Sequence, residues 1–417
     1  MISNIFPPGF MGGYELGALD VARALIARGN IVRVLTSDYF LDDAGTLAGV
    51  EVTRVLECLV PGRLALTSAE QTRRGWIIDV RGLRRVGSEL IAFLPDVIVA
   101  YNLIGIGPIG LLQYLVAIGM VPVLHLMDDL FHIRRFAPEV SESARRIFGT
   151  IDFLDNVEMI VMSRRLQSDV EQTLGYKLPD MTLVPGWVDP TLAPETITAR
   201  KPCAQEQFRF VFSSRIVSHK GIDLALEAAR SLVEAGHENF RLDIYGAGES
   251  AALVQQVIAF GLADRVCYRG ILPKSEMTRR LGDYDALLFA TMEREPFGFV
   301  VAEAAAAGCI PVVTNGIGAA EWFFDGIDCL KIQRTATDLA AAMRRLLLMP
   351  ASERQEMRHR AWKTAHLYLD FGRALSTIEK VIQRAAARSG PVVPQRVRAC
   401  EAALTLLDDM CRLTDSA

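Results

Sequence analysis

The stretch EREPFGFVVAEAAAAGCIPVVTN (293–315) decides the fold. An acidic opening leads through Phe297-Gly298 into an alanine-rich helix, and Gly308 separates that helix from the β-branched run IPVVTN (310–315). A helix followed at once by a short, wholly apolar strand is the repeating step of an α/β sheet, whose strands are covered on both faces. The same step recurs outward from here. Strand candidates are IVRVLTS (31–37), VEVTRVL (50–56), DVIVAYN (96–102), VPVLHLM (121–127), EMIVMS (158–163), FRFVFSS (208–214), FRLDIYG (240–246), RVCYRG (265–270) and DALLFA (285–290). Helical patterns fall between most of them, so the expected class is α/β with parallel sheets. Glu295 and Glu303 bracket an otherwise almost wholly apolar segment and demand a reason beyond packing.

The chain has 417 residues, which implies two domains if each holds about 200. Hydrophobic residues make up 51% and charged ones 23%, so large cores are expected. A net charge of −4 gives no global attraction to nucleic acid, which is not expected as a partner. Seven cysteines (58, 203, 267, 309, 329, 400, 411) show no C-x-x-C pair and an odd count, the pattern of reduced thiols. No apolar run reaches the ~18–20 residues of a membrane helix, and no basic region followed by an apolar core opens the sequence. A cytoplasmic protein is expected.

The alternation breaks once, at LVPGWVDPTLAPETITARKPCAQEQ (183–207), which is rich in Pro, Thr and Ala and reads as a linker. Two doubly wound Rossmann-like domains are expected to face each other across a cleft, one over 1–190 and one over 191–369. Helices follow near 335–349 and 351–367. A tail from about 370 to 417 is expected to pack on or near the first domain, with a hinge at SGPVVPQ (389–395) and a last helix over 397–413. Ligands in such sheets lie beyond the carboxyl ends of strands and at helix N-termini.

Four loops in those places carry polar chemistry. Gly12 and Gly13 open a helix that runs to about Arg28, with backbone N–H groups and no Cβ to block a phosphate, though such a pair taken alone more often marks a plain glycine turn. Arg215 and Lys220 in SRIVSHKG (214–221) follow the first strand of the second domain and form a pair of cations suited to a diphosphate. Gly246 and Gly248 form a strand-G-x-G element, a weak signal alone. Glu295 and Glu303 complete the set.

In this order the four resemble the retaining glycosyltransferases of family 4, which have the GT-B fold, a GG loop, an Arg…Lys pair, a strand-G-x-G element and an E-x7-E motif. The resemblance runs to about residue 340, and the E-x7-E segment followed by AAGCIPVV (306–313) is its most specific part. It implies a nucleoside diphosphate sugar donor, UDP- or GDP-linked, held mainly by the second domain. Arg215 and Lys220 would neutralise the diphosphate, Glu303 would bind the ribose hydroxyls and Glu295 the sugar. Backbone around Phe297, Gly298 and Phe299 would help hold the sugar, Gly12 and Gly13 would close over the phosphates, and Tyr268 to Leu272 would lie near the base. The residue chemistry agrees: carboxylates only accept hydrogen bonds and suit vicinal hydroxyls, whereas cations suit phosphate. The resemblance further implies transfer to a hydroxyl of a glycan, lipid-linked or small-molecule acceptor with retention of configuration. No cofactor and no metal are expected, the Arg/Lys pair replacing a divalent ion.

The chain departs from the family pattern in several places. Where a His-Asp pair is usual, VPVLHLMDD (121–129) puts Asp128 at the histidine position, and His125 would face the other side of its strand. Asp128 is therefore the expected first-domain catalytic residue. Ala290-Thr291 replaces Pro-Ser, and Gly186-Trp187 replaces Asn-Gly. Only Met1 to Phe6 precede the first prolines, just long enough for an opening strand of ~5–6 residues and shorter than the family's usual start. A basic cluster with Trp76, TRRGWIIDVRGLRR (72–85), suits either a helix with a solvated cationic face or a peripheral contact with anionic membrane.

Three rival functions stay open. A hydride-transferring Rossmann enzyme would use Gly246 and Gly248, but leaves Arg215, Lys220 and the two acids unexplained. A non-catalytic nucleotide-sugar-binding protein would explain the altered 125–129 segment. A nucleotide-sugar 2-epimerase would share the fold.

Overall fold

The computed structural model describes residues 1–9, 12–39, 45–47, 49–59, 73–131, 151–175, 177–178, 181–188, 197, 207–389 and 394–415. Two compact units account for the chain. The first comprises Met1–Met162, Leu166–Val184 and Leu375–Ala417, and the second Ser163–Arg165 and Pro185–Ala374. The chain thus changes unit at Val184/Pro185 rather than at 190, and residues 375–417 belong to the first unit. Most of the 183–207 linker and the centre of the 389–395 hinge lie outside the described residues.

In the first unit, α1 (Gly13–Ala27) precedes β1 (Arg33–Ser37), β2 (Gly45–Leu47) and β3 (Val50–Leu56). Next come α2 (Val80–Phe93), β4 (Val99–Ala100), α3 (Pro108–Ala117), β5 (Val123–Leu126), β6 (Glu158–Val161), α4 (Arg164–Leu174) and β7 (Thr182–Leu183). Strand orders are β1-β3-β2 and β4-β5-β6-β7. Ile2 bridges Leu35 and Ala100, joining the two sets where a six-residue opening strand was expected. Among the described residues the pairings are parallel, as expected, except that β2 runs antiparallel to β3. Gly49, at φ 87°, lets the chain reverse there. The basic cluster is not one helix: Arg73–Ile77 forms a π-helical turn, and α2 begins only after Asp79, whose carboxylate accepts from the Gly82 N–H.

The expected tail is two helices, α11 (Phe371–Ser389) and α12 (Pro394–Asp415), numbered after the ten helices that precede them. A Cβ on Gly87 of α2 would stand 2.8 Å from the Leu404 side chain, so glycine there lets α12 lie close against α2. Arg384 and Arg388 of α11 both bind buried Glu158 on β6, at 2.6 and 2.7 Å. Desolvation opposes the charge on Glu158, but the two guanidiniums prevail and hold its pKa below the ordinary value. A lowered carboxylate pKa stabilises the fold above the unfolded value, and that stability is lost as pH falls through the folded one. Glu158→Gln is expected to cost about 1–2 kcal/mol at pH 7, since both arginines are partly screened. Thermal unfolding at pH 7 and in acid checks this, and the deficit should shrink in acid.

In the second unit, β8 (Phe208–Ser213), α5 (Ile222–Glu234), β9 (Phe240–Tyr245), α6 (Ser250–Ala259), β10 (Val266–Gly270) and α7 (Lys274–Leu281) form the first half. The second half is β11 (Ala286–Phe289), α8 (Phe299–Ala306), β12 (Ile310–Thr314), β13 (Leu330–Ile332), α9 (Ala336–Leu348) and α10 (Ala351–Tyr368). The six-stranded parallel sheet has the order β10-β9-β8-β11-β12-β13. This is the doubly wound arrangement whose strand order reverses between β8 and β11. The crevice for a ligand is expected beyond the carboxyl ends of those two strands. Phe208, Phe210 and Phe240 anchor the core beneath α5 and α9, with ring centroids 4.6 and 6.0 Å apart along the series.

Candidate functional site

The loops after β8 and β11 meet at that switch point. After β8 the chain crosses as Ser214–Ile216, makes a 3-10 turn at Ser218–Lys220 and enters α5 through Gly221 at φ 83°. A Cβ on Gly221 would stand 1.9 Å from the Ala290 carbonyl oxygen, so the two loops touch through backbone. The His219 carbonyl accepts from the Met292 N–H (2.9 Å) and the Thr291 hydroxyl (3.1 Å). The loop after β11 is held from its other side by Arg334, which donates to the carbonyls of Thr291 and Glu293 at 3.3 Å each.

This scaffold joins two of the expected site residues. Lys220 Nζ donates to Glu295 Oε2 at 2.7 Å, with the side chains 18% and 15% exposed. Arg215 stands exposed on the same crossing; its carbonyl accepts from the Val217 N–H at 3.1 Å, and its side chain makes no hydrogen bond or ion pair among the described residues. Glu295 precedes α8, Gly298 at φ 93° starts it, and buried Glu303 lies inside it. Glu303 has its own cation, since Lys274 Nζ stands 3.7 Å from Oε1 and 5.8 Å from the centre of the Phe299 ring. Phe297 is buried, and its carbonyl accepts from the Ala319 N–H. Leu272 is half-buried just before α7, and the Tyr268 hydroxyl donates to the Gly246 carbonyl at 3.1 Å.

Gly246 and Gly248 serve the chain crossing. Their φ values are 148° and 142°, and Cβ atoms would stand 1.8 Å from the Ser214 oxygen and 2.3 Å from the Ile216 oxygen. The Ile216 N–H donates to the Ala247 carbonyl at 2.7 Å, tying the G-x-G loop beneath Arg215. Both glycines are thus required by backbone approach, without a dinucleotide.

In the first unit, Gly12 and Gly13 open α1, and the Gly12 N–H donates to Oε2 of buried Glu15 at 3.0 Å. Beyond its chain neighbours, no described residue lies within 4 Å of a Cβ placed on Gly12. His125 is fully buried against the Tyr101 ring, 5.2 Å between centroids, and burial pushes its pKa down to about 3, so it is neutral. Asp128 lies past the end of β5 and is half-buried, its Oδ1 accepting from the Asp129 N–H at 2.7 Å. The basic cluster is engaged inside the unit: Arg74 pairs with Asp79 and Glu57, Arg85 with Glu57, and Arg84 with Asp408. Trp76 is half-buried, and no described helix is long and apolar enough to cross a membrane.

Arg334 and Lys274 were not singled out by the sequence. Lys274 meets Glu303 and Arg334 braces the loop after β11, across separations that no local spacing signals.

Two doubly wound units, one with its polar loops gathered at the strand-order reversal, define the GT-B class. Residues 195–365 match the family described as Glycosyl transferases group 1. The chain is 25% identical over 377 residues to a glycogen synthase of Mycobacterium tuberculosis, covering 86% of this chain and 88% of that one. Among solved structures, a glycosyltransferase from Rickettsia africae aligns with a TM-score of 0.71 at 14% identity, covering 92% of this chain and 97% of that one. Anabaena HepE, determined with UDP and glucose, aligns at 0.64 and 17% identity over 92% and 100%.

Proposed function

We propose that the chain moves a sugar from a nucleoside diphosphate sugar to an acceptor hydroxyl with retention of configuration, without a metal ion. The carrying observation is the Lys220–Glu295 pair, 2.7 Å apart beside the exposed Arg215. An ammonium has three donors, so Lys220 keeps its bond to Glu295 while donating to a phosphate oxygen. The pair therefore joins a cationic subsite for diphosphate to an anionic subsite for sugar hydroxyls.

As the glycosidic bond breaks, negative charge grows on the leaving diphosphate, and fixed cations there stabilise the transition state more than the ground state. Glu295 accepts from the sugar hydroxyls and Glu303 from the ribose. Gly13 offers its backbone N–H to phosphate, the Gly12 N–H being held by Glu15, and Asp128 is the catalytic carboxylate of the first unit. Front-face attack, with the leaving phosphate taking the acceptor proton, fits a site without an evident nucleophile and base pair. HepE, with UDP and glucose bound, supports a UDP-linked hexose over a GDP-linked one. The glycogen synthase relative supports a glycan acceptor.

A thermal-shift screen of UDP-, GDP- and ADP-sugars tests the donor, since a ligand of the folded state alone raises stability by RT ln(1 + [L]/Kd). NMR of the product's anomeric proton tests retention. Arg215→Ala is expected to weaken UDP binding about tenfold or more while changing UMP binding little, because a charge-assisted contact to the β-phosphate is lost. Calorimetric titration of both nucleotides decides it, and unchanged UDP affinity would sink the assignment.

A further inference from the structure

We propose that Tyr14 is a positioning residue for transfer, its hydroxyl fixing the turn that carries Asp128 to the helix mouth opened by Gly12 and Gly13; this rests on the role given above to Asp128. The hydroxyl donates to the His125 carbonyl at 2.9 Å and accepts from the Met127 N–H at 3.0 Å. Pairing of β5 with β4 ends at Leu124, so these groups lie just past the last rung on that side. One side-chain oxygen satisfies the carbonyl and the amide flanking Leu126, as a peptide unit of another strand would. Withdrawal of the hydroxyl from water pushes its pKa up, so it stays a protonated donor across the working pH range.

Both ends of this link lead to expected site residues. Tyr14 is the second residue of α1, directly after Gly13, and its neighbour Glu15 holds the Gly12 N–H. On the other side Asp128 follows Met127 at once. Asp129, only 1% exposed, then anchors the turn from below: its Oδ2 accepts from the Thr173 hydroxyl at 2.7 Å and its Oδ1 from the Phe131 N–H at 3.0 Å. Asp128 therefore stands between two fixed points, the phenol before it and the Asp129 carboxylate after it. Without the phenol the turn loses the first of these.

The alternative is that Tyr14 merely finishes a strand end, and a double-mutant cycle with Asp128→Asn separates the two. Tyr14→Phe is expected to lower kcat about 10–100-fold with the donor KM changed less than about threefold, the scale of a misplaced reacting group. In the Asp128→Asn background the same change should have little further effect. If Asp128→Asn alone is fully active, the role of Asp128 fails and the premise goes with it. If Asp128→Asn is impaired but Tyr14→Phe lowers kcat by the same factor in both backgrounds, Asp128 keeps its role and the inference is overturned. Should Tyr14→Phe yield no folded protein, Tyr14→Gln, with a donor and an acceptor on a flexible stem, runs through the same cycle and is judged by the same criterion.

Discussion

Glu295→Ala is expected to lower sugar transfer about 10²–10³-fold while UDP still raises the Tm of the variant, the scale of removing one preorganised hydrogen-bonding partner of a transition state. The separation of effects follows from the Lys220–Glu295 bond of 2.7 Å. Removing the carboxylate frees the ammonium, so affinity for the diphosphate should hold or rise, whereas the sugar loses an acceptor and the lysine loses its orientation. Glu295→Gln keeps an acceptor but not the charge and should fall between wild type and alanine. Initial rates with saturating donor, beside UDP titrations of each variant, check the pattern. Loss of UDP binding in Glu295→Ala would show that the carboxylate serves the nucleotide and would remove the proposed division of labour between the two acids.

Gly221→Ala should be among the most damaging changes to the second unit. The residue sits at φ 83°, where a Cβ is strained whatever the space, and here that Cβ would also stand 1.9 Å from the Ala290 oxygen. Relief requires parting the loops after β8 and β11, which breaks the bonds from Met292 and Thr291 to the His219 carbonyl. A loss of roughly 3 kcal/mol or more is expected, with nucleotide binding lost alongside it. Gly261→Ala is the control: its φ of 69° is also left-handed but, beyond its chain neighbours, no described residue lies within 4 Å of the added Cβ, so only about 1–2 kcal/mol is expected. Equal unfolding midpoints for the two variants would contradict the close approach at Gly221.

Strands buried on both faces were the legible part of the fold. VEVTRVL (50–56) forms β3 over those same residues, and FRFVFSS (208–214) loses only its last residue. Apolar β-branched runs need no distant partner to declare themselves. The misses have local causes. The three residues of β13 are too short to show a period, and β2 is strand only because β3 offers it an antiparallel edge. The helix α11 carries its apolar residues at helical spacing among arginines, where the sequence was read only as a tail with no element assigned before residue 397.

Of the candidate site, the acids, the cations and the glycines were visible as residue types at the ends of strands. Their supports were not. Tyr14 finds its carbonyl 111 residues away and Lys220 its carboxylate 75 residues away, separations that only the folded sheets close.

The division of the chain between its units sets an order of assembly during synthesis. The second unit runs as Pro185–Ala374, apart from three residues, and its ends are stitched together: Val188 donates to the Leu369 carbonyl at 2.8 Å, and Trp187 packs on Phe371 at 5.5 Å. The first unit needs Arg384 and Arg388 for Glu158, and Leu404 for the glycine face of α2, all encoded after the second unit is complete. The half of the protein made first is therefore finished last. Until the ribosome releases α12, the apolar side of α2 waits uncovered, and truncations that spare every loop of the second unit should still leave the first one prone to aggregation.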